Sequence, residues 1–279
     1  METALKIYQF YSRFKSVPGE IANIAPYVPS AIANHLIEQY TGEAALGEAA
    51  LGEVAPGQGE KVTRSVLVVL VHGTDGGDWQ WLVARQYLKD AGYQSKCLSY
   101  NSQNRVADSC SSLFTNLQAM LEEEAPGRNF VLIGHSQGGL LARMLYERSK
   151  TLPVPCTKVF ILHAPQKGTS AARLWNKLRS SIGLSNYESL KDMEDGTEFV
   201  NYYKEHCVDP QDPCVYEAAG SLDYVREDEA FYSSLPSKRY VGHYGHYSPM
   251  VDKSLWHTFI IPNLEADNNN DDKMISTNC

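Results

Sequence analysis

Residues Asn129 to Arg143 read N-F-V-L-I-G-H-S-Q-G-G-L-L-A-R. A short apolar run, Phe130 to Ile133, enters Gly134-His135-Ser136-Gln137-Gly138 and leaves through Leu140 to Glu147, a segment of helical character. The pattern is G-x-S-x-G between a buried strand and a helix, the context that gives the motif chemical meaning. A turn this sharp forces Ser136 into a strained backbone conformation with its hydroxyl exposed. Glycine at 134 and 138 removes the Cβ atoms that would collide as strand and helix close together. A helix starting at the serine also aims its first amides and its dipole at any negative charge that develops there.

On the N-terminal side, Val66 to Val71 is a continuous β-branched run, as expected of a strand buried in a parallel sheet. It ends in the Gly-rich turn His72-Gly73-Thr74-Asp75-Gly76-Gly77. A helix follows with Trp81, Ala84, Leu88 and Ala91 on one face and Gly92 ending it. Gln94 to Tyr100 reads as the next strand. Val106, Cys110, Leu113, Leu117 and Leu121 then recur at spacings of four and three, a helix stopped by Pro126-Gly127. Beyond the elbow, Lys158 to His163 is a further strand, and Ala164-Pro165-Gln166-Lys167-Gly168-Thr169-Ser170 leads into a helix over Ala171 to Leu178. Residues 173–208 have little strand character, and an insertion at about 170–210 is placed to cover the top of the sheet as a short cap or lid. Cys214 to Ala219 and Lys238 to Val241 are the last strand candidates. Alternation of strand and helix predicts an α/β fold with a mostly parallel, doubly wound sheet and helices on both faces.

The flanks differ in kind. In residues 1–41 Leu5, Tyr8, Tyr11 and Phe14 recur at helical spacing beside Lys6, Arg13 and Lys15. That stripe either docks on the chain's own domain or touches a lipid surface as a peripheral helix. A second helix is expected from Ser30 to Tyr40. Residues 42–60 carry the five-residue repeat Gly42-Glu43-Ala44-Ala45-Leu46 and Gly47-Glu48-Ala49-Ala50-Leu51, which reads as a linker. The domain reading is therefore 1–60 extension and linker, 61–264 main domain, and 265–279 polar tail.

Composition excludes several classes. The formal charge of −8 and the lack of a basic patch argue against a nucleic-acid partner. No apolar run is long enough to span a bilayer. Charges interrupt the N-terminal apolar residues, so no signal-peptide core is visible, and the expected setting is cytoplasmic or leaderless export. Six cysteines lack zinc-type spacing. Cys207 and Cys214 are read as free thiols, a disulfide between them being the alternative. No H-x-x-x-H or H-E-x-x-H pair and no G-x-G-x-x-G appears, so neither a metal nor a dinucleotide cofactor is expected.

Three motifs, V-L-V-H-G-T-D-G-G, I-G-H-S-Q-G-G and A-P-Q-K-G-T-S, together resemble the α/β-hydrolase superfamily and its lipase and esterase branch. The resemblance runs from about Val66 to about Trp256, roughly two thirds of the chain. The third motif is similar to the P-x-x-G-[ST] turn of many lipases and of GPI-inositol deacylases. The resemblance implies Ser136 as nucleophile, with an oxyanion hole formed by the backbone N–H groups of Gln137 and Thr74 and the Thr74 hydroxyl as an additional donor. In that family the acid and base follow the serine in the order Asp, His. Asp223 is the chosen acid, with Asp228 and Asp252 as alternatives. His246, in Gly245-His246-Tyr247, is the chosen base, with His243 open as the other option. His135 is structural, and His206 and His257 lie on the surface or pack locally. The implied activity is hydrolysis of small-molecule or acyl-lipid carboxylic esters without a cofactor, Trp79 and Trp81 helping to line an apolar pocket. A thioesterase or amidase on the same triad, or a binding protein that has kept the fold, are the competing readings.

Overall fold

The structure, a computed structural model, describes residues 64–154, 156–181 and 187–265. The expected N-terminal helices, the repeat at 42–60 and the polar tail from Ala266 onward lie outside the described residues.

All five residues of β1 (Leu67–Val71) are fully buried, because the strand lies inside the sheet with helices over both faces. β2 (Gln94–Leu98) and β3 (Phe130–His135) pair with it on either side, followed outward by β4 (Cys156–Leu162), β5 (Val215–Gly220) and β6 (Arg239–Gly242). The order is β2-β1-β3-β4-β5-β6, and every pairing is parallel. The chain first steps from β1 to β2, then returns past β1 and walks the other way. The reversal opens a crevice at the carboxyl ends of β1 and β3, where Val71 pairs with Gly134.

Period-two alternation splits the strand side chains between two cores. Leu67, Val69, Val71, Phe130, Leu132, Val159, Ile161 and Val215 face the first. There they meet α2 (Val106–Glu124) and α3 (Gln137–Ser149). Val68, Leu70, Val131, Ile133, Phe160, Leu162, Tyr216 and Ala218 face the second. That core is closed by α1 (Leu82–Asp90) and a helical stretch over 253–265. The helix expected after β1 begins as a 3₁₀ turn, Asp78–Trp81, before α1.

Between β4 and β5 come α4 (Ser170–Ser181), α5 (Glu188–Asp192) and α6 (Glu198–Cys207). Tyr187, Leu190, Met193, Tyr203 and Cys207 from this region enter the first core. The Asp192 carboxylate accepts the Val106 N–H at 2.9 Å, capping α2 where its first donors have no partner in the helix. Cys207 and Cys214 are free thiols.

Candidate active site

The crevice is built on the β3–α3 elbow. Ser136 sits at φ 55°, ψ −124°, a strained conformation, and its N–H donates to Leu162 O at 2.8 Å. A Cβ on Gly134 would lie 2.1 Å from Gly138 O, and one on Gly138 would lie 2.2 Å from His72 O. The obstructing atoms are backbone, so only glycine lets strand, helix and the β1 turn meet this closely.

His246, in the loop after β6, points Nε2 at Ser136 Oγ, 2.9 Å away. Its Nδ1 lies 2.9 and 3.0 Å from the two Asp223 carboxylate oxygens. Asp223 follows β5 in a tight turn closed by its N–H on Gly220 O at 3.1 Å. The Asp223 and His246 side chains are enclosed, whereas Ser136 is half-buried and open to solvent on one side. His246 therefore donates from Nδ1 to the carboxylate and keeps its Nε2 lone pair for the Ser136 hydroxyl, the tautomer a general base requires. Tyr224 lies against the imidazole at 4.2 Å between ring centroids.

The other candidates fall elsewhere. His243 is exposed and pairs with Ser221 at 3.0 Å. Asp228 is exposed and bonds Arg226. Asp252 accepts the Leu255 N–H at 2.7 Å and caps a helical turn. His206 packs edge-on to Tyr202, and His257 edge-on to Tyr87. Trp81 is a fully buried member of the second core, which removes it from any pocket lining, whereas Trp79 is half-buried. His135 donates Nε2–H to His246 O at 2.8 Å, tying the elbow strand to the loop that carries His246.

The turn after β1 faces the elbow. The Thr74 hydroxyl, expected as an additional oxyanion donor, instead donates to Gln137 Oε1 at 2.8 Å and so links the β1 turn to the elbow. The turn is braced on its other side. His72 stacks on Tyr100 at 4.4 Å, the Tyr100 hydroxyl donates to His72 O at 3.0 Å, and Asp75 N–H donates to Ser102 Oγ at 3.0 Å. The Tyr187 hydroxyl closes on the Asp75 carboxylate from the segment between β4 and β5.

One residue of the site has no motif in the sequence. His163, the first residue beyond β4, is fully buried with φ 54°, and its Nδ1 is hydrogen-bonded to Asp223 Oδ2. His163, Asp223 and His246 place three potential ligand atoms within 4.8 Å of one another. Both imidazole Nδ1 atoms are already spent on the carboxylate, so the group is a closed hydrogen-bond set. Burial alone would raise the Asp223 carboxyl, but the charge and hydrogen bonds of His246 and His163 outweigh it and hold the group well below the usual carboxylate range.

The family model for palmitoyl protein thioesterase matches residues 67–215, just over half of the chain. The chain belongs to the palmitoyl protein thioesterase family. The match runs from β1 through the elbow to the first residue of β5, and so includes Ser136 but ends before Asp223 and His246. Among solved structures, the mature form of Bacillus licheniformis lipase BlEst2 is 18% identical with a TM-score of 0.56, covering 76% of this chain and 96% of that one. The hyperthermophilic esterase from the archaeon Pyrobaculum calidifontis is 14% identical with a TM-score of 0.51, covering 76% and 78%. At these identities the likeness is one of fold, and the fold is the α/β-hydrolase fold. No curated protein matches the chain. No described helix is long and apolar enough to cross a membrane.

Proposed function

We propose that the chain is a serine hydrolase that cleaves carboxylic esters, acyl lipids foremost, through an acyl-enzyme intermediate. The observation that carries this reading is the 2.9 Å contact between His246 Nε2 and Ser136 Oγ, with Nδ1 of the same ring on Asp223. His246 takes the Ser136 proton as Oγ attacks the acyl carbon, then delivers it to the departing alkoxide. Asp223 fixes the His246 tautomer and stabilises the imidazolium. The oxyanion is held by the N–H groups of Gln137, the first residue of α3, and of Thr74. In the second half-reaction water, deprotonated by His246, attacks the acyl-enzyme and releases the acid.

A second reading is favoured by the family match: the same attack on an acyl thioester, releasing a thiol. Thiolate is the better leaving group and needs less help from His246, so the two substrates make different demands on one site.

Both are tested by comparing wild type with Ser136→Ala on matched oxyester and thioester substrates from acetyl to palmitoyl. Turnover is expected to fall by at least about three orders of magnitude in the variant, as for removal of the nucleophile in other serine hydrolases. Equal rates in the two proteins would sink the reading. The kcat/KM ratio between matched oxyester and thioester decides between the substrates.

A further inference from the structure

Asp223 serves two histidines, and only one of them touches Ser136. His163 Nδ1 bonds one carboxylate oxygen, and His246 Nδ1 spans both. Asp223 Oδ1 also accepts the Val225 N–H at 2.9 Å. The surroundings dictate how His163 is protonated. Its Nε2 is buried without a partner among the described residues. A proton there would be an orphaned donor in the interior, and the Nδ1 lone pair would then face the carboxylate at hydrogen-bond distance. With the proton on Nδ1 that donor meets the carboxylate, and only the Nε2 lone pair is left without a partner, the lesser cost. The groups facing the ring are Asp223 from the β5 turn, His246 at 6.0 Å, His135 at 6.4 Å, and Tyr244, stacked at 5.3 Å. Burial, the largest influence, lowers the proton affinity of the ring against the pull of Asp223, so His163 is a neutral donor at neutral pH.

The position is tightly built. A Cβ on Gly220 would lie 2.7 Å from His163 Cε1 and 2.2 Å from Tyr244 O, so the ring occupies space that only glycine leaves. The His163 N–H itself donates to Ala218 O at 2.8 Å, locking the residue to the strand from which Asp223 emerges. A left-handed residue held by a strand on one side and a stacked tyrosine on the other has little freedom to turn away.

We infer that His163 is a positioning residue for the reaction, a second N–H donor that holds the Asp223 carboxylate in the orientation His246 needs and draws charge away from it. The inference rests on the reading of Ser136, His246 and Asp223 given above. His163 touches neither serine nor substrate, so its effect passes through Asp223. Without the donor, the carboxylate is freer to turn, and the imidazole it orients is aimed less often at Ser136 Oγ.

His163→Asn and His163→Leu have nearly the same shape and differ in the donor, and thermal unfolding of each reads separately the extra strain that leucine, unlike asparagine, meets at φ 54°. His163→Asn is expected to keep kcat/KM within about threefold of wild type. His163→Leu is expected to lower kcat on the order of tenfold at nearly constant KM. Equal losses in both variants, or no loss in either, would overturn the inference. Nitrogen-15 NMR of the histidines in the unmutated protein adds a readout that needs no variant. His163 must be protonated on Nδ1 alone, and a ring protonated on Nε2 also overturns it. Activity surviving in Ser136→Ala would remove the underlying reading. Activity lost in Ser136→Ala but kept in His163→Leu would remove only the role of His163.

Discussion

At the scale of single residues, the site is a set of hydrogen bonds whose directions are forced by burial. The Thr74 hydroxyl has one acceptor, Gln137 Oε1, and Gln137 is itself fully buried. Thr74→Val keeps the shape and removes the donor. It leaves the Gln137 oxygen unsatisfied, at a cost of about 1–3 kcal/mol, and frees the β1 turn from the elbow. The expected result is a kcat lower by roughly tenfold, since an oxyanion donor out of place weakens transition-state binding more than substrate binding. A variant with wild-type kcat in steady-state kinetics would show that the turn holds its place without this link. The residue scale is also where sequence reading stopped short. His163 is one of eight histidines, and nothing in its neighbours marks it. Its role depends on Asp223, 60 positions away.

Among the elements, the elbow leaves the least freedom. A Cβ at position 134 would stand 2.1 Å from the Gly138 oxygen and 2.5 Å from its carbonyl carbon, so relief would require strand β3 and helix α3 to separate. Gly134→Ala is expected to destabilise by about 3 kcal/mol or more, seen as a large drop in the midpoint of thermal unfolding. An unchanged midpoint would mean that the two elements are not packed this closely. The helical stretch over 253–265 shows the opposite case, an element the pattern conceals. Pro262 interrupts it, and proline inside a helix normally removes a hydrogen bond and clashes with the preceding turn. The chain widens to a π-helical segment at Trp256–Ile260 just before the proline and so carries Leu255, Trp256, Phe259, Ile260, Ile261 and Leu264 into the second core. The central strands β1, β3 and β4 were legible because buried apolar runs admit few alternatives. This closing helix was not, because its local signals point to a break.

For the whole molecule, the buried histidines set how stability depends on pH. Burial holds His135 well below the ordinary histidine value, and it lowers His163 despite the opposing Asp223 bond. In the unfolded chain both take up a proton near pH 6.5, so below that pH the unfolded state binds more protons than the folded one. Their contribution is present above about pH 6.5 and is lost as pH falls. Asp223, depressed below the carboxylate range, acts in the same direction at lower pH: its contribution is full above about pH 4 and is lost as acid titrates the folded carboxyl. Thermal unfolding followed from pH 8 to pH 4 is expected to show a plateau above about pH 6.5 and a steady fall below it. A midpoint that rises towards pH 5 would contradict neutral, buried rings.

By itself the sequence determined the sheet, the elbow and the serine, because these rest on local rules: β-branched runs for buried strands, glycines where backbones meet, and a helix starting at Ser136. The resemblance to α/β-hydrolases, with its order of serine, acid and base, also narrowed the expected base to His246 or His243 and the expected acid to Asp223, Asp228 or Asp252. Only the tertiary structure brought His246 against Ser136 and Asp223 against His246, and left the other candidates elsewhere. It alone turned the Thr74 hydroxyl towards Gln137, sent Trp81 into the core and brought His163 onto Asp223. These are contacts between residues tens of positions apart, set by the register of parallel strands and by which buried donor is left without an acceptor. No local pattern encodes such distances.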